Sequence, residues 1–420
     1  MTFFAPLFRN SLEDPLVPIS SERIAEVLGA TPTDAGVDVT PSKSLAMSAV
    51  WRAVNLLAGT LGSLPLHPYR KLASGGRELV TSGQAAQLLD NPHRDMTPFE
   101  LWELVMAHVL LWGNAYLWLV RDQNNKPVSF EGVHPSRVKP GRTSDGTKVY
   151  AIDGGKIVAT DVRLESSRVV GELLHIPGFS VDGIVGLSPI AMARQGIGLA
   201  LAAEQYGAKL FGSGSLATGV LETDRKLTED QANAVMTRWK TKRAGMKSAH
   251  EVIVLDSGAK FHQLTIPPVE AQFLESRRFQ VSEIARMFGV PPHMLMDTEK
   301  STSWGTGIEQ QSIGFVVYTL RPWLTRIEQR VTRVLKPEPV YARFSVEGLL
   351  RGDSKQRADF YRSMWEIGAL STNDVRALEE QGPVEGGDVR YVPLNFGALG
   401  ATQDDAETDA PPVPMEEEPT

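Results

Sequence analysis

The chain has 420 residues, 42% hydrophobic and 22% charged, as in ordinary globular proteins with room for more than one core. It has 0 cysteines, which excludes disulfides, thiolate metal sites and a cysteine nucleophile. The net charge of −7 sits at one end: Asp404, Asp405, Glu407, Asp409, Glu416, Glu417 and Glu418 follow Arg390 with no Lys or Arg among them, and the remaining 43 acids match 43 bases. A neutral body argues against a sequence-specific DNA binder, which carries a basic excess.

In chain order, MTFFAPLFRNSLEDP lacks a basic n-region and its apolar run is broken by Arg9 and Asn10, so no signal peptide is expected. Residues 1–43 read as an irregular arm, interrupted by Pro6, Pro15, Pro18, Pro32 and Pro41. Helices are expected over Leu45–Leu61 and Pro98–Leu111, with a strand at Leu64–Lys71 and a turn at Gly75-Gly76 between them. Leu101–Val120 is the most membrane-like stretch, but Glu103, His108, Gly113 and Asn114 are costly in hydrocarbon. A buried helix ending near Gly113, then a strand over Ala115–Val120, accounts for it better, and no membrane span is expected. From Tyr116 to Ile176 short strands alternate with turn signals at Asn124-Asn125, Asp145-Gly146 and Asp153-Gly154-Gly155, giving an α+β domain.

A Gly/Ser-rich approach, Gly178–Ser188, leads to a helix over Pro189–Phe211. Its small residues (Gly196, Gly198, Ala200, Ala202, Ala203, Gly207, Ala208) would admit a neighbouring helix closely. An insert from Ser213 to Ile266 holds a strand at Gly219–Glu222, a helix at Thr228–Lys242 with Thr228 as N-cap, and strands at Val252–Asp256 and Lys260–Ile266. In the next helix, Val269–Phe288, Leu274, Val281, Ile284, Ala285 and Phe288 share one face. Pro291-Pro292 stops it, and a small, polar loop runs from Asp297 to Gly307. Ile308, Phe315, Trp323, Ile327, Val331 and Val334 then recur at helical spacing. A strand at Val340–Val346 and helices at Lys355–Ile367 and Thr372–Glu380 follow, before an acidic, Pro- and Ala-rich tail that cannot offset its ordering entropy by burial.

The chemistry of an enzyme is not legible. No G-x-x-x-x-G-K-[ST] occurs, and Gly212–Gly219 is glycine-rich without the lysine. There is no G-x-S-x-G elbow, and the 8 His residues form neither H-E-x-x-H nor an i, i+4 pair. His293, opening the polar loop, reads as a helix-end or solvent histidine, and Glu379-Glu380 as a solvated face. No metal, cofactor or catalytic residue is expected. Arg238, Trp239, Lys240, Lys242, Arg243 and Lys247 form the basic cluster. It reads either as a contact for phosphates or an acidic partner, or as a solvated helix face balanced by Glu229 and Asp230.

Several blocks resemble the portal proteins of tailed bacteriophages, the group typified by phage HK97. They are WRAVNLLAGTLGSLPLHPYR (Trp51–Arg70), LLDNPHRDMTPFELWELVMAHVLLWGNAYLWLVRD (Leu88–Asp122), GLSPIAMARQGIGLALAAEQYGAKLFGSGSLATGVLE (Gly186–Glu222), ESRRFQVSEIARMFGVPPHML (Glu275–Leu295) and IEQQSIGFVVYTLRPWLTRIEQRV (Ile308–Val331). The resemblance spans roughly Ser44 to Asn395. It implies an α+β portal-type subunit. The arm (1–43) would precede a wing (44–186), a stem helix (187–212), a clip (213–266), a second stem helix (267–292) and a channel loop (293–307). A long wing helix and strand (308–352), crown helices (353–395) and a disordered acidic tail (396–420) would follow.

The implied function is a non-enzymatic subunit of a ring, twelve-fold by the resemblance, at one capsid vertex. The ring passes double-stranded DNA during packaging and ejection. Implied partners are the terminase large subunit, the major capsid protein, scaffold protein and a head–tail adaptor, in a virion assembled in the bacterial host cytoplasm. Asp297, Thr298, Glu299, Lys300, Ser301, Thr302, Ser303, Trp304 and Gly305 would face the channel. Lys300 would be the phosphate-facing charge, tempered by Asp297 and Glu299, and the basic cluster would meet a partner at the clip. On composition alone the same segment is a surface loop. A head–tail adaptor or scaffold-type virion protein is the alternative.

Overall fold

The computed structural model describes residues 33–73, 75–143, 146–166, 168–212, 219–222, 228–234, 237, 260–263, 270–297, 306–346, 354–379 and 381–391, in two units, Met1–Val346 and Glu347–Thr420. Thr40 caps a short helix α1 (Pro41–Ser44) inside the stretch expected to be irregular; Pro41 suits a first turn, where its missing N–H has no intrahelical role. Helix α2 (Ser48–Gly62) leads to strand β1 (Leu66–Lys71), which pairs antiparallel with β2 (Arg77–Leu79). After α3 (Gln84–Asp90) comes α4 (Pro98–Trp112), opened by a capping box in which Thr97 and Glu100 satisfy each other's backbone N–H groups.

The membrane-like stretch is this enclosed helix. Leu101, Trp102, Val105, Met106, Val109, Leu110 and Leu111 are all buried, so α4 is apolar around most of its girth because protein surrounds it. Each fully buried Leu contributes about 1.5–3 kcal/mol. Strand β3 (Asn114–Arg121) follows directly and lies between β4 (Pro127–Val133) and, at its other edge, β10 (Leu173–Pro177). Between them in sequence, β5 (Val138–Arg142), β6 (Lys148–Ile152) and β7 (Ile157–Thr160) form a third sheet, and β8 (Arg163–Glu165) with β9 (Arg168–Val170) a hairpin.

The expected helix Pro189–Phe211 is interrupted. Helix α5 (Pro189–Met192) ends at Ala193, whose φ of −94° and ψ of 11° leave the α range, and α6 (Arg194–Gly212) resumes. Gly196 and Gly198, in its first turns, weaken the ladder there. A Cβ at Gly198 would meet Thr33 at 2.7 Å, so that glycine admits the 33–40 segment rather than a helix. In the insert, β11 (Gly219–Glu222) pairs with β12 (Lys260–Gln263). Residues 229–234 are helical after Thr228, whose N–H donates to Gln231 Oε1 at 3.1 Å. The expected strand Val252–Asp256 lies outside the described residues.

Helix α7 (Glu270–Phe288) buries Ile284, Ala285 and Phe288, as the one-face spacing predicts. A long helix then runs as α8 (Thr306–Gly314), a π-helical turn (Phe315–Leu320) and α9 (Arg321–Val334). It buries Phe315, Leu324, Ile327, Val331 and Val334 and delivers the chain to β13 (Val340–Phe344). β13 pairs with β1 in antiparallel register, Leu66 opposite Phe344 and Arg70 opposite Val340. Trp102 meets Phe344 edge-on at 6.2 Å and Phe130 at 6.3 Å, tying α4 to two sheets.

In the second unit, Ser371 caps α11 (Thr372–Leu378) in a capping box with Asp374, after α10 (Ser354–Glu366). Glu379 is not merely solvated: it accepts from the Tyr361 hydroxyl at 2.6 Å and pairs with Arg357 at 3.4 Å, joining the two helices. Glu380 and the acidic tail lie outside the described residues.

Candidate functional site

The polar loop starts from a fastened point. At the end of α7, Gly289 takes φ +66° and the Val290 N–H closes back on Ala285 O at 2.9 Å, the six-to-one bond of a left-handed helix terminus. Thr319 Oγ1, from the π turn, donates to Gly289 O at 2.5 Å. Pro292–Leu295 then forms a 3-10 turn in which Leu295 is buried and Met294 O accepts Arg52 Nε–H from α2 at 3.2 Å. Met296 (φ +66°) redirects the chain, and the Asp297 N–H returns to Pro292 O at 3.1 Å. Residues 293–296, expected in the loop, are therefore its anchor, and α8 takes over at Thr306. Asp297 is half-buried at the end of that anchor, while Thr298, Glu299, Lys300, Ser301, Thr302, Ser303, Trp304 and Gly305 lie outside the described residues. So do Arg238, Trp239, Lys240, Lys242, Arg243 and Lys247. Arg52 and Thr319 escaped the sequence reading, because long-range contacts to backbone carbonyls leave no local pattern. His293 Nδ1 is buried without a hydrogen-bond partner among the described atoms.

Pro322 explains the π turn. It cannot donate to the carbonyl of Tyr318, and its ring crowds that carbonyl; the wider π geometry over Phe315–Leu320 accommodates both effects without breaking the helix. The proline was the available signal. The same turn holds Tyr318 81% exposed. On α5 and α6, Met192, Leu199 and Tyr206 recur every seventh residue and are all exposed, and Phe279 on α7 is 62% exposed. Large apolar groups left exposed on helices, with Leu199 and Tyr206 two turns apart on α6, mark a surface that meets another molecule.

Upstream, Asn114 uses every polar atom it has. Its Nδ2 donates to Gly186 O (2.8 Å) and Trp112 O (3.0 Å), and its Oδ1 accepts from Gly186 N–H (2.7 Å) and His175 Nε2–H (2.8 Å). Gly113 and Gly186 sit backbone to backbone where neither could carry a Cβ. Ser188 caps α5 and donates to Leu111 O at 2.7 Å, so the start of α5 is locked onto the end of α4.

His175 Nδ1 in turn accepts from Lys148 Nζ at 2.8 Å. Burial, with Lys148 and Arg330 nearby, holds His175 well below its ordinary range and therefore neutral. Burial first, opposed by Asp161, pushes Lys148 down to about 8. Asp161 accepts from Tyr150 Oη at 2.8 Å and faces Arg330 at 3.5 Å. His108 packs edge-on to Trp112 (5.6 Å) and His134 (5.3 Å); burial, then His134, lowers it to about 4. Among the described residues no group of His, Asp and Glu could hold a metal ion, and no helix is long and apolar enough to cross a membrane.

An α+β subunit whose long helices bracket a loop anchored into the core is the architecture at hand. It is similar to a solved portal protein of the HK97 family from Corynebacterium diphtheriae, with a TM-score of 0.53 at 18% identity, covering 74% of this chain and 96% of that one. It is similar also to the neck of a native gene transfer agent (GTA) particle, with a TM-score of 0.52 at 19% identity, covering 82% and 95%. By sequence it is 36% identical over 384 residues to a probable portal protein of Streptomyces phage phiC31 (87% of this chain, 81% of that one). It is 35% identical over 370 residues to the portal protein of Enterobacteria phage HK97 (85% of each). The family model described as phage portal protein matches residues 48–380, and the chain belongs to that family.

Proposed function

We propose that the chain is a structural, non-enzymatic subunit of a homo-oligomeric ring at a virion vertex, through which double-stranded DNA passes inward and outward. In this reading 44–186 and 308–352 form the wing, 187–212 and 267–292 the stem, 213–266 the clip and 353–395 the crown, with 297–305 projecting into the channel. The terminase large subunit, major capsid protein, scaffold and head–tail adaptor are its partners, and the ring assembles in the host cytoplasm. The observation that carries the reading is the anchor. Arg52, Thr319 and the buried Leu295 hold one end of the loop against the core, and a continuous helix begins at the other. A polar segment so fastened can bear on a moving duplex without unfolding its supports.

The exposed Met192, Leu199, Tyr206 and Phe279 support subunit contacts, and the C12 symmetry used for the similar neck particle supports twelve subunits. Lys300, tempered by Asp297 and Glu299, suits weak, sequence-blind contact with phosphates, and the basic run from Arg238 to Lys247 suits a partner at the clip. Deleting Ser301–Gly305 should leave rings intact in negative-stain images and impair DNA packaging or retention. Lys300→Glu should alter packaging in a salt-dependent way. Normal packaging of full genomes by rings carrying the deletion would overturn the channel role.

A further inference from the structure

Cations from separate stretches of the first unit converge on one cleft of about 470 Å³. Arg142 ends β5, Lys148 begins β6, Arg163 begins β8, and Arg330 and Arg333 stand one turn apart on α9. Asp161 is the one carboxylate among the lining residues, and it is already engaged by the Tyr150 hydroxyl and Arg330. Nearby Asp182 is likewise occupied, accepting from Ser180 Oγ and from the N–H groups of Ile184 and Val185. Arg163 gives its Nε to Glu165 at 2.6 Å, but its Nη1 is buried with no hydrogen-bond partner among the described atoms. A buried guanidinium nitrogen left unpartnered is costly in a finished structure.

We infer that this cleft binds a phosphate group. Guanidinium groups arriving from a strand end, a hairpin and a helix surround a tetrahedral phosphate, whose four oxygens do not share a plane, better than they match a planar carboxylate. The cationic side chains stand on regular elements, so the site is built in advance of its ligand. The volume exceeds that of one phosphate, so the group belongs to a larger body, either a free phosphate compound or a nucleic-acid backbone. The inference does not rest on the portal reading, since it follows from side chains in the sheet lobe and α9 alone.

The test uses the full chain. Binding of pyrophosphate and of a short DNA duplex is measured by calorimetry for the wild type, for Arg333→Glu and for the milder Arg142→Gln, each checked for wild-type circular dichroism. Pyrophosphate should bind, and Arg333→Glu should weaken it roughly tenfold or more, with a smaller loss for Arg142→Gln. Duplex that competes with pyrophosphate identifies the backbone as the source; duplex that does not compete identifies a free phosphate compound. The absence of pyrophosphate binding, affinity unchanged in both folded variants, or equal displacement by oligoglutamate would each overturn the assignment.

Discussion

Asn114 and Gly186, 72 residues apart, are joined by two hydrogen bonds in opposite senses: the amide nitrogen donates to the glycine carbonyl at 2.8 Å and the amide oxygen accepts from the glycine N–H at 2.7 Å. Through this clasp the end of α4 sets where the chain enters α5, and so where the exposed stripe on α6 is presented.

Asn114→Ala should therefore be among the costly single changes. It leaves the Gly186 N–H and C=O and the His175 Nε2–H buried without partners, a loss of about 3–5 kcal/mol. A urea unfolding midpoint within error of wild type would show that water replaces the side chain.

Gly289→Val tests the anchor. The position combines φ +66° with Thr319 atoms 3.1–3.3 Å from where a Cβ would stand. A β-branched residue there should cost roughly 2–4 kcal/mol. Because the Thr319 contact would open, trypsin should cut at Lys300 faster than in wild type under native conditions; unchanged cleavage would mean that the loop is held by other contacts.

Acid sensitivity follows from His108. Its folded-state pKa, lowered to about 4 from 6.5, means that the unfolded chain binds the extra proton first. Stability is present above the unfolded value and is lost as pH falls through the folded one, by up to about 3 kcal/mol from this group. His175 shifts in the same direction and adds to the loss. His108→Gln should flatten the fall in urea midpoint between about pH 6.5 and about pH 4 while leaving His175's share. An unchanged pH profile would assign the acid sensitivity elsewhere.

Local pattern revealed most of the elements. The period of Ile284, Ala285 and Phe288 marks a buried face, and Gly113 marks the boundary between helix and strand, because each signal is written within a few residues. The pairing of β1 with β13, the Asn114 clasp and the cationic cleft depend on residues some 70 to 280 positions apart, which only the folded chain brings together. The break at Ala193 and the π turn fall between. Gly196, Gly198 and Pro322 signal a disturbed helix, but whether the ladder breaks or widens is decided by packing. The segment Asp297–Gly307 was legible as polar and glycine-punctuated, whereas the anchor before it was not, since Arg52 and Thr319 act through backbone carbonyls.

Ile284→Asp should disrupt the first unit. The side chain is 5% exposed in the main core, and an unpaired charge there should cost several kcal/mol, on the order of 3–5. Yield and ring formation comparable to wild type would mean that α7 can rotate to release the charge.

The π turn has a geometric consequence for the loop. Such a turn absorbs one residue beyond an α-helical count, so α8 and α9 keep nearly the phase of one regular helix. Removing Val317 would let the helix close to a regular pitch with Thr306 turned only slightly around the axis, because the wider winding of the turn already takes up the extra residue. The direction in which the chain enters α8 is thus buffered against the loss of one residue from Phe315–Leu320, whereas the loss of a second would turn Thr306 by about 100° around the axis.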